Sequence, residues 1–104
     1  MNETRPHPVR RLEDVVHQRV RLGVLALLVQ GGRCEFTFLR DELGLTDGNL
    51  SRHLTVLADA GLVSVDKLAG QRSRTWVSAT AHGRKALQAE IAALRDLLAG
   101  FDDA

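Results

Sequence analysis

Cysteine occurs once, at Cys34. No disulfide can form within the chain, and that usage fits a reducing compartment. Proline occurs twice, at Pro6 and Pro8, both in the first eight residues. Tyrosine is absent, and aromatics are limited to three Phe and one Trp. The core must then be built from Leu, Val and Ala, which suits a small helical protein. No apolar run is long: Leu22 to Val29 is the longest uncharged one, far short of a bilayer span. Nor does it look like a secretion signal, since Glu13 and Asp14 precede it, Arg19 and Arg21 abut it, and no small-residue cleavage site follows. A cytoplasmic location is expected, with no membrane partner.

The net charge of +1 excludes little, but its distribution is uneven. Lys67, Arg72, Arg74, Arg84 and Lys85 face a single acid, Asp66, between Ser64 and Lys85. From Ala86 onward Arg95 is outnumbered by Glu90, Asp96, Asp102 and Asp103. A basic stretch followed by an acidic tail points weakly to a polyanion on one side of the molecule. At 104 residues the chain suffices for one domain with one core.

What is present is periodic. Residues 1–11 show no apolar period and are expected to be a flexible arm. From Leu12 the residues Val15, Val16, Val20, Val24, Leu27 and Leu28 recur at helical spacing, and Gln30 to Gly32 stops the helix. Near its end this helix is apolar on almost every side, so Leu22 to Val29 should be buried all round. Arg33 to Phe36 allows only a brief strand. Thr37 is expected to cap a two-turn helix over Phe38 to Leu43, followed by a tight link at Gly44 and Leu45. Thr46 should cap a helix from Asp47 to Ala60 that ends at Gly61. Val63 and Val65, then Thr75, Val77 and Ala79, alternate with other residues and predict a hairpin around Gly70. Thr80 should cap a last helix running to about Phe101. The fold class predicted is mainly α with a small β-hairpin: a winged helix-turn-helix over 12–80, with extra N- and C-terminal helices, the latter over 81–104.

The helix after Thr46 uses poor helix formers early, Gly48, Asn49 and Ser51. Leu50, Leu54 and Leu57 form its inward stripe, while Asn49, Arg52, His53 and Val56 face outward, flanked by Ser51 and Thr55. Short polar groups at the start of such a helix suit entry into a major groove about 12 Å wide. Gly48 eases close approach to a phosphate backbone, at a propensity cost of about 1 kcal/mol against Ala. Arg52 can pair with guanine O6 and N7, and Asn49 with adenine N6 and N7. Thr46, Ser51 and Thr55 suit phosphate oxygens. Arg72 and Arg74 at the hairpin tip can enter a minor groove or clamp phosphates, and Lys67 suits a phosphate. Double-stranded DNA is the partner these residues predict. The bland alternative is a solvated face, and the rival function is a winged-helix protein-interaction module. No Gly-rich phosphate loop or nucleophile elbow suggests an enzyme, and Asp41 and Glu42 look solvated.

The segments "VVHQRVRLGVLALL", "FTFLRDELGLTDGNLSRHLTVLADAGLV" and "GQRSRTWVSATAHGRKAL" resemble small stand-alone winged-helix transcriptional regulators related to the MarR and ArsR families. The resemblance spans about Leu12 to Leu87. It implies a homodimer on operator DNA, with Asp47 to Ala60 as recognition helix and Lys67 to Arg74 as wing. Ala79 departs from the pattern, since such proteins usually place a larger apolar residue before the Thr cap.

Leu87, Ile91, Leu94, Leu98 and Phe101 are spaced 4, 3, 4, 3, a heptad seam of about two repeats. It predicts a dimer interface; the alternative is one amphipathic helix packed on its own domain. Two recognition helices about 34 Å apart would then read a pseudo-palindrome, and repression by occluding a promoter is the simplest outcome. Regulation leaves little trace. Cys34 reads as a buried thiol rather than a redox or metal switch. His7, His17, His53 and His82 are scattered, with His17 expected to pack in or hydrogen-bond near the first helix, and no metal or other cofactor is predicted. A small-molecule effector is left open. Trp76 lies on the hairpin face opposite Val77, where it can pack against the arm or a partner chain; core packing is the default expectation and ligand stacking the distant alternative.

Overall fold

The computed structural model describes residues 6–68 and 74–102. The hairpin tip at Gly70, with Arg72, lies outside the described residues. Pro8–Arg11 forms a single 3-10 turn capped by the His7 side chain. It lies against the C-terminal helix, where Arg11 pairs with Asp96 at 2.8 Å. Helix α1 spans Arg19–Gly31, and strand β1 covers only Cys34–Glu35. Helix α2 is Phe36–Glu42 and α3 is Asp47–Asp59. Strands β2, Val63–Leu68, and β3, Arg74–Ala79, form the hairpin, and α4 runs Ala81–Ala99. All three strands are antiparallel in the order β1-β3-β2, with Cys34 opposite Val77 and Val65 opposite Val77 on the other side.

Two helix starts differ from expectation. α1 begins at Arg19, not Leu12, because residues 13–18 make a separate turn. The His17 and Val16 amides both donate to the Glu13 carbonyl, at 2.6 and 3.0 Å, and the Gln18 side chain then accepts from the Arg21 amide at 2.9 Å. Asp14 and the two adjacent β-branched valines, Val15 and Val16, are weak helix formers, so the local turn wins. Val16 still enters the core at 1% exposure, which is how the apolar period outlasts the helix. α2 begins at Phe36 without a side-chain cap, because β1 runs directly into it. Thr37 is an exposed first-turn residue, not the cap.

The other boundaries follow local chemistry. Thr46 Oγ1 accepts from the Asn49 amide at 3.1 Å. Gly44 and Gly61 close α2 and α3 with φ of +66° and +77°. At each, the next residue's amide reaches back to the last turn, Leu45 to Arg40 and Leu62 to Leu57, both at 2.9 Å. Leu25, Leu28, Leu39, Leu50, Leu57 and Val77 form the centre of the core, all fully buried. Of Leu22 to Val29, expected to be buried all round, Val24, Leu25 and Leu28 are buried and the other five are half-buried, because one side of α1 is not covered within the subunit.

Thr80 joins two units at once. Its hydroxyl oxygen accepts from the Gly83 amide at 2.9 Å, capping α4, and its proton goes to the Gly61 carbonyl at 2.6 Å. Losing a cap and a hydrogen bond together is expected to cost about 1–2 kcal/mol in Thr80→Ala. Urea unfolding should show this as a lower midpoint with an unchanged slope.

Candidate nucleic-acid interface

α3 is amphipathic in the sense the spacing predicts. Leu50, Leu54 and Leu57 are buried at 0%, 4% and 0%, while Asn49, Ser51, Arg52, Thr55 and Val56 are exposed. The first turn is also electrostatically arranged. Asp47 sits at the positive helix end, and Arg40 of α2 donates to it at 2.9 Å while also holding Asp41 at 2.8 Å. Arg40 thus bridges α2 to the first residue of α3, and its guanidinium pulls the Asp41 carboxyl below its ordinary range.

The outward groups are already organised. Arg52 Nη2 donates to Asn49 Oδ1 at 3.2 Å, so the two residues suited to base edges form one unit. The Thr55 hydroxyl donates to the Ser51 carbonyl at 3.0 Å. A phosphate would have to compete for that proton, which leaves Ser51 and Thr46 as the better hydroxyl donors. Between α3 and the hairpin runs an open groove of about 610 Å³, lined by Asp47, Ser51, Thr55 and Asp59 of α3, Lys67 of β2 and Thr75 of β3. Lys67 and Thr75 are paired across the hairpin. Lys67 and Arg74 are both exposed, and Arg72 lies outside the described residues.

His53 differs from its neighbours. It is only half-exposed, and its Nδ1 lies 3.2 Å from Nη1 of Arg21 in α1. Burial, then the positive charges of Arg21 and Arg52, hold its basicity below that of a free imidazole. The folded state therefore binds a proton less readily than the unfolded chain. As pH falls below about 6.5 the unfolded state gains the proton first, and stability drops until the folded-state value is passed. Urea midpoints measured from pH 7.5 downward should record that loss, and His53→Gln should flatten it.

Three contacts were not visible in the sequence. Arg21 reads as an ordinary cation flanking an apolar run. Glu90 reads as part of an acidic tail, yet it is 1% exposed, with Oε2 at 2.6 Å from His17 Nδ1 and Oε1 without a hydrogen-bond partner among the described residues. His17 therefore reaches across to α4 rather than staying near α1. Arg33 lies over the Trp76 ring, 4.6 Å from its centroid, a cation–π contact that covers one face of the tryptophan. Cys34 is buried, which pushes its thiol above the usual value. Among the described residues no group of three or more His, Cys, Asp or Glu side chains is placed to hold a metal, and no helix is long and apolar enough to cross a membrane.

Two helices joined by a tight turn, the second with its polar face open beside a β-hairpin, define a winged helix-turn-helix. Residues 20–98 match the model of the winged helix DNA-binding domain family, and the chain belongs to that family. It is 41% identical over 70 residues to the uncharacterized protein MJ0432 of Methanocaldococcus jannaschii, covering 66% of this chain and 76% of that one. Its fold superposes on a transcriptional regulator homologue from Pyrococcus horikoshii OT3 with a TM-score of 0.87 and 28% identity, covering 93% and 99% of the two chains. It also superposes on the M. tuberculosis transcriptional regulator MOSR in complex with DNA, with a TM-score of 0.69, 26% identity and coverage of 90% and 68%. The neighbours are transcriptional regulators of MarR and ArsR type, the families that the sequence motifs resemble.

Proposed function

We propose that the protein is a homodimeric repressor that reads a pseudo-palindromic DNA operator through α3 and the hairpin. The observation that carries this reading is the open polar face of α3, Asn49, Ser51 and Arg52, beside the exposed cations Lys67 and Arg74. Arg52 and Asn49 supply base contacts, Thr46, Ser51 and Lys67 supply phosphate contacts, and the hairpin cations flank the groove. The complex of MOSR with DNA supports the same use of the fold. Binding should weaken steeply with salt, because each phosphate contact releases counterions. Fluorescence anisotropy with a duplex between about 50 and 200 mM salt tests it. A flat response, or equal affinity for every duplex, favours the protein-interaction module instead.

Dimerisation rests on α4. Its seam divides in two along the helix: Leu87 is buried in the subunit's own core at 4% and Leu94 is half-buried, whereas Ile91, Leu98 and Phe101 are 37%, 60% and 81% exposed. The exposed trio is the surface a second subunit would cover, whereas Leu87, expected in the same seam, packs in the subunit's own core. Leu98→Glu combined with Phe101→Glu is expected to give a folded monomer by light scattering, with duplex affinity reduced at least about tenfold through loss of the second half-site. A double variant that remains dimeric would move the interface elsewhere. Occupancy of an operator across a promoter is then the mode of repression, in the cytoplasm.

A further inference from the structure

A guanidinium carries five N–H donors and no acceptor. Arg21, in the first turn of α1, has three of its contacts defined. Nε donates to the Val15 carbonyl at 2.7 Å, Nη2 donates to the Asp14 carbonyl at 3.1 Å, and Nη1 faces His53 Nδ1 at 3.2 Å. The two carbonyls belong to the turn 13–18, which is fixed at its other end by the bond between His17 and the buried Glu90 of α4. Arg21 is therefore anchored independently of α3, and the imidazole must adjust to it. Since the arginine can only donate, Nδ1 of His53 must offer its lone pair. The proton of the neutral ring is then on Nε2.

We propose that Arg21 is a positioning residue for the DNA face: it fixes His53 in the neutral Nε2–H tautomer, so that α3 presents one imidazole donor beside Asn49 and Arg52. The proposal rests on the reading of α3 as the recognition helix. It adds a specificity rule that the exposed residues alone do not contain. A donor-only imidazole can serve guanine N7 or O6, adenine N7, thymine O4 or a phosphate oxygen, and it cannot accept from the amino groups of cytosine or adenine. Burial, then the cationic neighbours Arg21 and Arg52, disfavour the doubly protonated ring, which agrees with a neutral donor. Arg21 acts only through His53 and makes no DNA contact in this scheme.

The test has two arms. In the free protein, ¹⁵N spectra of labelled histidine at neutral pH should show His53 with an unprotonated Nδ1 and a protonated Nε2, and Arg21→Gln should convert this to a mixture of tautomers. A protonated Nδ1 in the native protein overturns the proposal. In the second arm, Arg21→Gln and His53→Ala are each expected to weaken binding to a selected duplex roughly 3- to 10-fold. The double variant should be no weaker than His53→Ala alone, because the two act in one chain of contacts. Arg21→Lys keeps the charge but not the three-way fork, and should behave like Arg21→Gln. If Arg21→Gln costs as much affinity in the His53→Ala background as in the native one, the residue is merely structural and the proposal fails. If the native protein prefers no duplex at all, the DNA reading falls and the positioning role with it, while the ring-nitrogen spectrum still decides whether Arg21 sets the tautomer.

Discussion

Gly83→Ala should lower the melting temperature by roughly 12–24 °C, or prevent folding altogether, through the addition of a single methyl group. A Cβ at Gly83 would stand 2.0 Å from the Leu62 carbonyl oxygen and 3.0 Å from its carbon, both backbone atoms. That carbonyl cannot retreat cheaply. It accepts from the Thr80 amide at 3.0 Å, and the adjoining Gly61 carbonyl is held by the Thr80 hydroxyl at 2.6 Å. The Leu62 side chain is itself 2% exposed, and its amide closes the end of α3. Overpacking ordinarily costs 1–3 kcal/mol, and a clash with a pinned backbone belongs at about 3 kcal/mol or above. At about 4–8 °C per kcal/mol for a domain near this size, the shift is large. Gly48→Ala is the control of opposite sign. Nothing lies within 4 Å of a Cβ there, so removing glycine from the first turn of α3 should stabilise the fold by up to about 1 kcal/mol. If Gly48 lies against a phosphate backbone, the same change weakens DNA binding. Thermal melts followed by circular dichroism separate the two glycines, and a Gly83→Ala protein that melts like the native one contradicts the packing described.

Arg52→Ala should weaken binding to the preferred duplex by about 1–3 kcal/mol per half-site, roughly 5- to 150-fold, and relax the preference for one base pair. The guanidinium is exposed on the second turn of α3 and is pre-aligned by Asn49 Oδ1 at 3.2 Å. Pre-alignment reduces the side-chain entropy lost on binding. It also means that Asn49→Ala and Arg52→Ala are not independent: their combined effect should be smaller than the sum, as for any pair in direct contact. Lys67→Ala supplies the contrast. A phosphate contact carries no sequence information, so its loss should reduce affinity about evenly across duplexes and lower the salt slope by about one. Competition binding against duplexes mutated one base pair at a time distinguishes the two behaviours. Equal loss on every duplex for Arg52→Ala would remove it from base recognition.

The parts of this fold that could be read in advance are those decided within a few residues. Thr46 and Thr80 cap their helices because a hydroxyl needs only an amide three positions on. Gly61 ends α3 because only glycine accepts its φ of +77° without strain. The alternation at Val63, Val65 and Val77 fixes the hairpin because one face must be dry. Periodicity was a poorer guide where two structures satisfy it. Val15 and Val16 keep the apolar spacing of α1 although they precede it. Thr37 has the chemistry of a cap but follows a strand that turns into α2 without one.

The candidate site shows the same division. Which side of α3 is polar follows from Leu50, Leu54 and Leu57 alone. What touches that side does not. Arg21 lies 32 positions before His53, and Glu90 lies 73 after His17, distances over which spacing carries no signal. The heptad of α4 likewise identifies an apolar stripe without saying what covers it. Leu87 is taken by its own subunit, and only Ile91, Leu98 and Phe101 remain open.

The central claim is that α3 and the hairpin read duplex sequence. Repeated selection of bound duplexes from a random pool, with the native protein at fixed salt, addresses it most directly. Enrichment of a pseudo-palindrome whose half-site centres lie about one helical turn, or a multiple of it, apart is the expected result. A pool that remains random after several rounds, while the protein stays folded and dimeric, would contradict it.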